Sequence, residues 1–309
     1  MTWAVWAPLL APWLITPLAR RLAALLAPRT AALLLTVTGA LAAALSTAAL
    51  GLLALSALLH LPLLAALGHL SPPLLPDGPV TLALGWAALP ACAAAGAATV
   101  RAVRRRAPGP IHAELRAARR AGDLVVLPCD EADAFALPGR PGLVVVTSGM
   151  LRALTTDEQA VLLAHERAHL TGRHHLLTLV TDLAVCLHPA VRGLRAPLAL
   201  HAERWADEVA AATVGDRRLT ARAIGTAALA TVPSAVRPAT AFAATAGPVP
   251  LRMQALLQPP APSPGLARRA GAALLLCLLA TATATAEATH DLHEDIETAQ
   301  STSAPPGRA

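Results

Sequence analysis

Between Arg29 and Asp77 the chain carries no charged side chain. Its most continuous part, 31–59, is longer than the roughly 20 apolar residues that cross a bilayer core. In hydrocarbon every backbone N–H and C=O must be satisfied inside the segment, so such a run folds as a helix. Composition agrees: 55% hydrophobic, 14% charged, 2% aromatic, with mean hydropathy +0.54. Further apolar runs at 2–19, 80–100 and 266–286 complete an expected set of four spans. The first is short and holds Pro8, Pro12 and Pro17. A secretory signal would place its basic residues before the apolar run, whereas Arg20, Arg21 and Arg29 follow it. The expected organisation is a membrane domain over 1–106, a metal-binding domain over 107–265, a fourth helix over 266–286 and an acidic, disordered tail over 287–309.

Charge fixes the expected orientation. If the loops at 19–30 and 101–269 lie in the cytoplasm they hold 24 of the 25 basic residues, all of them arginine. The other side keeps Arg308 and the acids Asp77, Glu287, Asp291, Glu294, Asp295 and Glu297. This is a positive-inside pattern, and it accounts for a pI near 10.7 better than nucleic-acid binding, because the arginines do not alternate with aromatics. The bilayer is an expected partner and nucleic acid is not. His290, Asp291, His293, Glu294 and Asp295 fit a solvated end better than an outer metal sensor. Cys92, Cys129, Cys186 and Cys277 form no CxxC pair and read as thiols packed like small hydrophobes.

The stretch 155–172, TTDEQAVLLAHERAHLTG, carries the chemistry. Thr155 with Glu158 fits a capping box, and Gly172 fits a left-handed stop. Apolar residues nearly all round predict a buried helix. Burying His165, Glu166 and His169 there without partners would cost about 2–7 kcal/mol each. Two imidazoles at i and i+4 share one face and can share one tetrahedral ion, and Glu166 beside them is placed to take a proton from a metal-bound water. A third ligand is needed. Glu203 is the preferred choice, with Asp207 one turn on to orient a ligand histidine; His201 and Glu208 are rivals. Two nitrogens and a carboxylate with an open position suit one Zn²⁺.

Around this helix, 123–128 and 141–148 read as short strands and 134–136 as another. Val144, Val145 and Val146 are either sheet interior or an exposed edge to which a substrate peptide adds as an extra strand. The run 176–191 is a buried or membrane-apposed helix. Helices are expected over 198–214, 218–230 and 251–257. Loops or linkers are expected near 71–79, over 233–250 and over 258–265.

HERAH followed by ERWAD resembles the membrane-embedded gluzincin metallopeptidases. PGLVVVTSGML before the metal helix, HPAVRGLRAPL leading into ERWAD and VGDRRLTARAIGTAAL after it look most like the BlaR/MecR-type family, with the HtpX and CAAX-prenyl-protease family as a cousin. The resemblance implies a multipass α-helical membrane protein with a mainly α, α+β zincin-like cytoplasmic domain. It implies zinc held by His165, His169 and Glu203, Glu166 as general base and acid, and Asp207 behind the ligands. It implies cleavage of a signalling protein, such as a cytoplasmic transcriptional repressor, or else quality control of membrane proteins. A non-catalytic zinc-binding sensor is the third reading. BlaR/MecR receptors carry a penicillin-binding sensor after the last helix; only 287–309 follow here, so a β-lactam stimulus is not implied. With no Tyr in the chain, a tetrahedral oxyanion would need an Arg or His donor, for which Arg222, His174 and His201 are candidates.

Overall fold

A computed structural model describes residues 3–67, 79–117, 122–231, 242–243, 248–258 and 264–301. The loop expected near 71–79, most of the irregular segment over 233–250 and most of the linker after Gln258 lie outside them.

The chain opens with α1 (Trp6–Ala23), α2 (Pro28–Leu59), the short α3 (Pro62–Leu67) and α4 (Pro79–Arg105). Small residues let these helices approach closely. A Cβ on Gly85 of α4 would lie 2.5 Å from the Leu53 carbonyl oxygen of α2. Pro12 has no N–H to offer the Pro8 carbonyl one turn earlier in α1. The Ser46 hydroxyl of α2 stands 2.6 Å from that orphaned oxygen and 2.8 Å from the Ala42 carbonyl, so its one O–H serves both acceptors.

Next come α5 (Pro110–Ala117), β1 (Leu124–Leu127), β2 (Ala134–Leu137) and β3 (Leu143–Thr147). They are followed by α6 (Ser148–Ala153), α7 (Thr156–Thr171), α8 (His174–Leu187), a 3₁₀ turn (Pro189–Leu194), α9 (Arg195–Val214) and α10 (Arg217–Ala230). The two-residue β4 (Phe242–Ala243), α11 (Val249–Leu257) and α12 (Pro264–Ser301) complete the described chain.

The sheet runs β1-β3-β2-β4, with β1 parallel and β2 antiparallel to β3. Alternation sends Val144 and Val146 toward Leu162 of α7 and Ala227 of α10, and Leu143 and Val145 toward Leu115 of α5. All five β3 residues are buried. Val144, Val145 and Val146 therefore have neighbours on both sides, and the exposed-edge alternative is corrected. An unbroken apolar run needs apolar cover on both faces, which is the signature of an interior strand.

Among the described residues three helical stretches are long and apolar enough to cross a membrane: Pro28–Leu59, Val80–Ala117 and Gly271–Ser301. The first expected span, α1, is not among them; it packs along α2 and α12. Leu33, Val37 and Leu41 of α2 and Leu275, Leu276 and Leu279 of α12 stand exposed, as lipid-facing side chains would. One cluster joins Ile15 of α1, Leu35 of α2, Ala184 of α8, Leu198 of α9 and Leu274 of α12. The metal-binding half thus shares its core with the membrane helices, and α8 lies against α2 and α4.

The tail also differs from expectation. Up to Ser301 it continues α12 as helix, so disorder from 287 is corrected there; 302–309 lie outside the described residues. The i,i+4 pairs His290–Glu294 and His293–Glu297 suit a helix, and Ala288 and Ala299 are buried against α2 and α3 neighbours.

Candidate metal centre

The site is built from the turn that starts α7. Thr155 Oγ1 accepts from the Glu158 N–H, and the Glu158 carboxylate accepts from the Thr155 N–H. This reciprocal cap fixes where the helix begins, and therefore which residues a turn or two later face inward. Glu158 is also held below its ordinary carboxylate range, first by that backbone bond and despite burial. At the far end Gly172 is right-handed (φ −74) and the left-handed residue is Arg173 (φ 50), so the expected stop lies one position later. Gly172 is small for another reason: a Cβ there would lie 2.5 Å from His174 Nε2.

That gap lets His174 fold back under the site. Its Nδ1 lies 2.7 Å from His169 Nδ1, so one of the two rings donates to the other. The ring is fully buried and lies tilted against Trp205 of α9 with ring centres 4.6 Å apart, and Arg29 at the start of α2 stands 5.5 Å over the Trp205 ring. His174 was a candidate oxyanion donor on sequence. Its bonding nitrogen is directed instead at the ring edge of His169 opposite the ligand nitrogen.

His165 Nε2 and His169 Nε2 face one another at 3.0 Å. Glu203, from the middle of α9, places Oε2 3.5 Å from His165 Nε2 and Oε1 3.5 Å from His169 Nε2. A tetrahedral zinc with bonds of about 2.0–2.1 Å needs its ligand atoms about 3.3 Å apart, and the three donors meet that requirement. The residues fit the ion. Glu166, next to His165, is wholly buried. A cavity of about 20 Å³, enough for one water, lies beside His165 between Val161 and Leu162 of α7, Ile224 and Ala227 of α10, and Arg252.

Asp207 stands one turn beyond Glu203, with Oδ1 3.0 Å from His165 Nδ1. Sequence reasoning missed what lies behind it. Arg252 of α11, 1% exposed, grips Asp207 through Nε (2.8 Å) and Nη2 (2.7 Å) and reaches Glu203 Oε2 with Nη1 (2.8 Å). One signal was available. Arg252 is a single charge in the apolar helix VPLRMQALL, and a buried guanidinium requires carboxylate partners.

Protonation follows from this packing. Before an ion binds, burial works to lower the His165 pKa, but Asp207 and Glu203 prevail and push it up to about 9, so a metal must displace the Nε2 proton to take its place there. His169 is driven well down, chiefly by burial. Burial raises Glu203 against the pull of His165 and Arg252. Asp207 is lowered because Arg252 and His165 outweigh the cost of burial.

The remaining expected residues lie elsewhere. Arg222 bonds Glu158 at 3.3 Å, at the start of α7 and two helical turns from His165. His201, two residues before Glu203, points to the opposite side of α9, where it lines a cavity with Arg20, Arg21 and Leu200. Burial lowers its pKa to about 4. Glu208 pairs with Arg217. Neither rival for third ligand reaches the two histidines.

The sequence model of Peptidase family M48 matches residues 111–196, which include His165, Glu166 and His169 and stop before Glu203. No solved structure matches the chain. Since the fold delivers the missing carboxylate to the two histidines of the segment that resembles family M48, the chain carries a complete His-His-Glu zinc metallopeptidase centre set among membrane helices.

Proposed function

We propose that this protein is an endopeptidase that cuts peptide bonds on the cytoplasmic side of the membrane, in regulated proteolysis of a signalling protein such as a transcriptional repressor. The observation that carries the hydrolytic part is the buried His165–His169–Glu203 cluster, with donor atoms 3.0–3.5 Å apart. The BlaR/MecR-type resemblance of the segments flanking HERAH and ERWAD supports the signalling part. The distribution of arginines supports the orientation.

His165, His169 and Glu203 would hold the zinc, which when bound supplies a Lewis acid for the scissile carbonyl and acidifies water. Glu166 accepts a proton from the attacking water and passes it to the departing amine. Asp207 accepts from His165 Nδ1–H, which leaves Nε2 as the ligand nitrogen. His174 does the same for His169 by engaging its Nδ1. Arg252 bridges Glu203 and Asp207 with one positive charge, which lowers the cost of holding two carboxylates in a dry site.

The second reading is quality control of membrane proteins, favoured by the shared core of α2, α8 and α9, which holds the metal helices against the membrane helices. Cells carrying Glu166→Ala separate the two. Accumulation of one defined regulator supports the signalling role, and a broad set of membrane proteins supports quality control. If neither accumulates and purified Glu166→Ala cleaves at the normal rate, the enzymatic reading is lost.

A further inference from the structure

At the end of α4, away from the metal, a cavity of about 420 Å³ opens between α4, α8 and the first residue of α9. Arg101, Arg105, Arg106 and Arg195 line it with Asp182 and Cys186. Four guanidinium groups thus face one carboxylate. Asp182 is occupied: it pairs with Arg106, and with Arg195 Nε at 2.7 Å. Among the described residues neither Arg101 nor Arg105 is paired with an acid. The cluster therefore keeps an excess of positive charge around a space of molecular size, with many N–H donors unspent. Such a site takes an anion with several acceptor oxygens, and arginines favour phosphate through paired N–H···O bonds.

Depth decides which phosphate. Val100 and Val103 stand exposed on the same turns of α4 as Arg101 and Arg105, where the apolar run gives way to charge. A helix that presents valine and arginine together at its end sits at the level of lipid headgroups. Basic pockets between membrane helices at that level suit anionic headgroups.

We propose that this cavity binds the phosphate headgroup of an anionic phospholipid, held by Arg101, Arg105 and the free donors of Arg106 and Arg195. Asp182 aims the last two and leaves the first two to the ligand. The bound headgroup would tie α4 to α8, which follows the metal helix, and to α9, which carries Glu203. The proposal does not depend on the peptidase having a particular substrate.

The test uses the full chain in nanodiscs of phosphatidylcholine alone or mixed with phosphatidylglycerol. Bound lipid is read by native mass spectrometry after detergent release, and stability by thermal unfolding. The wild type should retain phosphatidylglycerol in preference to phosphatidylcholine and unfold at a higher temperature in the mixed discs. Arg101→Gln/Arg105→Gln should bind it about 25-fold more weakly, at roughly fivefold per arginine. Both residues are exposed, so this variant should match the wild type in phosphatidylcholine discs. Arg20→Gln/Arg21→Gln, which removes the same charge elsewhere, should keep the preference. The proposal is overturned if the wild type shows no preference, or if both double variants lose retention equally, which would indicate surface potential alone. It also falls if inorganic phosphate in phosphatidylcholine discs stabilises the wild type as much as phosphatidylglycerol does, since the ligand would then be free phosphate.

Discussion

Two groups of charged residues, one on α7, α9 and α11 and the other on α4, α8 and the start of α9, handle charge in opposite ways. Behind the metal centre Arg252, Asp207, Glu203 and His165 are almost wholly removed from water, and each charge finds its partner inside the protein. At the end of α4 the arginines outnumber the acids, stay half-open to solvent and, among the described residues, leave Arg101 and Arg105 without an acid. In a dry interior an unmatched charge costs several kcal/mol, so the inner cluster must balance itself. At the membrane margin water and headgroups screen the excess, so the outer cluster can keep it for a ligand. Charge balance therefore separates a preorganised reaction site from a surface that expects an external partner.

The largest expected effect tests whether the inner cluster is catalytic. Glu166→Ala should lower the rate of peptide cleavage by about 10²–10⁴ while zinc content by elemental analysis stays at the wild-type level. Loss of zinc together with activity would instead make Glu166 part of the metal-holding structure. Next comes the inner charge balance. Arg252→Ala leaves two buried carboxylates without their cation and should cost about 3–5 kcal/mol of stability by thermal or denaturant unfolding. The matching outer change, Arg101→Gln, should fall within about 0.5 kcal/mol in phosphatidylcholine discs. Similar costs at the two sites would erase the contrast.

A third expectation concerns the groups that orient the ligand rings. Asp207→Asn and His174→Ala should each weaken zinc binding by about 10–100-fold, measured by competition with a chelator of known affinity. Unchanged affinity in His174→Ala would show that the 2.7 Å contact only packs the ring. The smallest effect lies at the start of α7. Glu158→Gln should destabilise by about 1 kcal/mol at neutral pH. Because the folded carboxyl sits below its ordinary range, its stabilisation is complete above that range and disappears as pH falls through the depressed value. The gap between wild type and variant should therefore close on acidification, and a gap that widened would mean that the carboxylate is not what caps the helix.

Much of the site was legible in the sequence because its rules are local. The capping box, the length of α7, and the pairing of His165 with His169 and of Glu203 with Asp207 follow from 3.6 residues per turn. The choice of Glu203 over His201 and Glu208 was a preference until the fold placed Arg20, Arg21 and Arg217 around the rivals. Arg252 escaped notice because it reaches Asp207 across 45 positions of sequence, beyond any periodic signal. The strand 143–147 left open whether it was edge or interior, since a fully apolar run does not name its neighbours. The tail looked disordered by charge, yet Ala288 and Ala299 gave α12 something to pack against.

By itself the sequence determined that the chain needs a membrane and that one helix presents two imidazoles and a carboxylate to a metal. Both follow from the chemistry of contiguous residues: backbone groups that must be satisfied within a segment, and side chains aligned by helical pitch. Only the tertiary structure decided which distant acid completes the ligand set, which arginine neutralises it, which strand lies inside the sheet and where arginines gather without acids. Those outcomes depend on how apolar faces bury one another, and packing brings together residues whose separation along the chain carries no information about their distance in space.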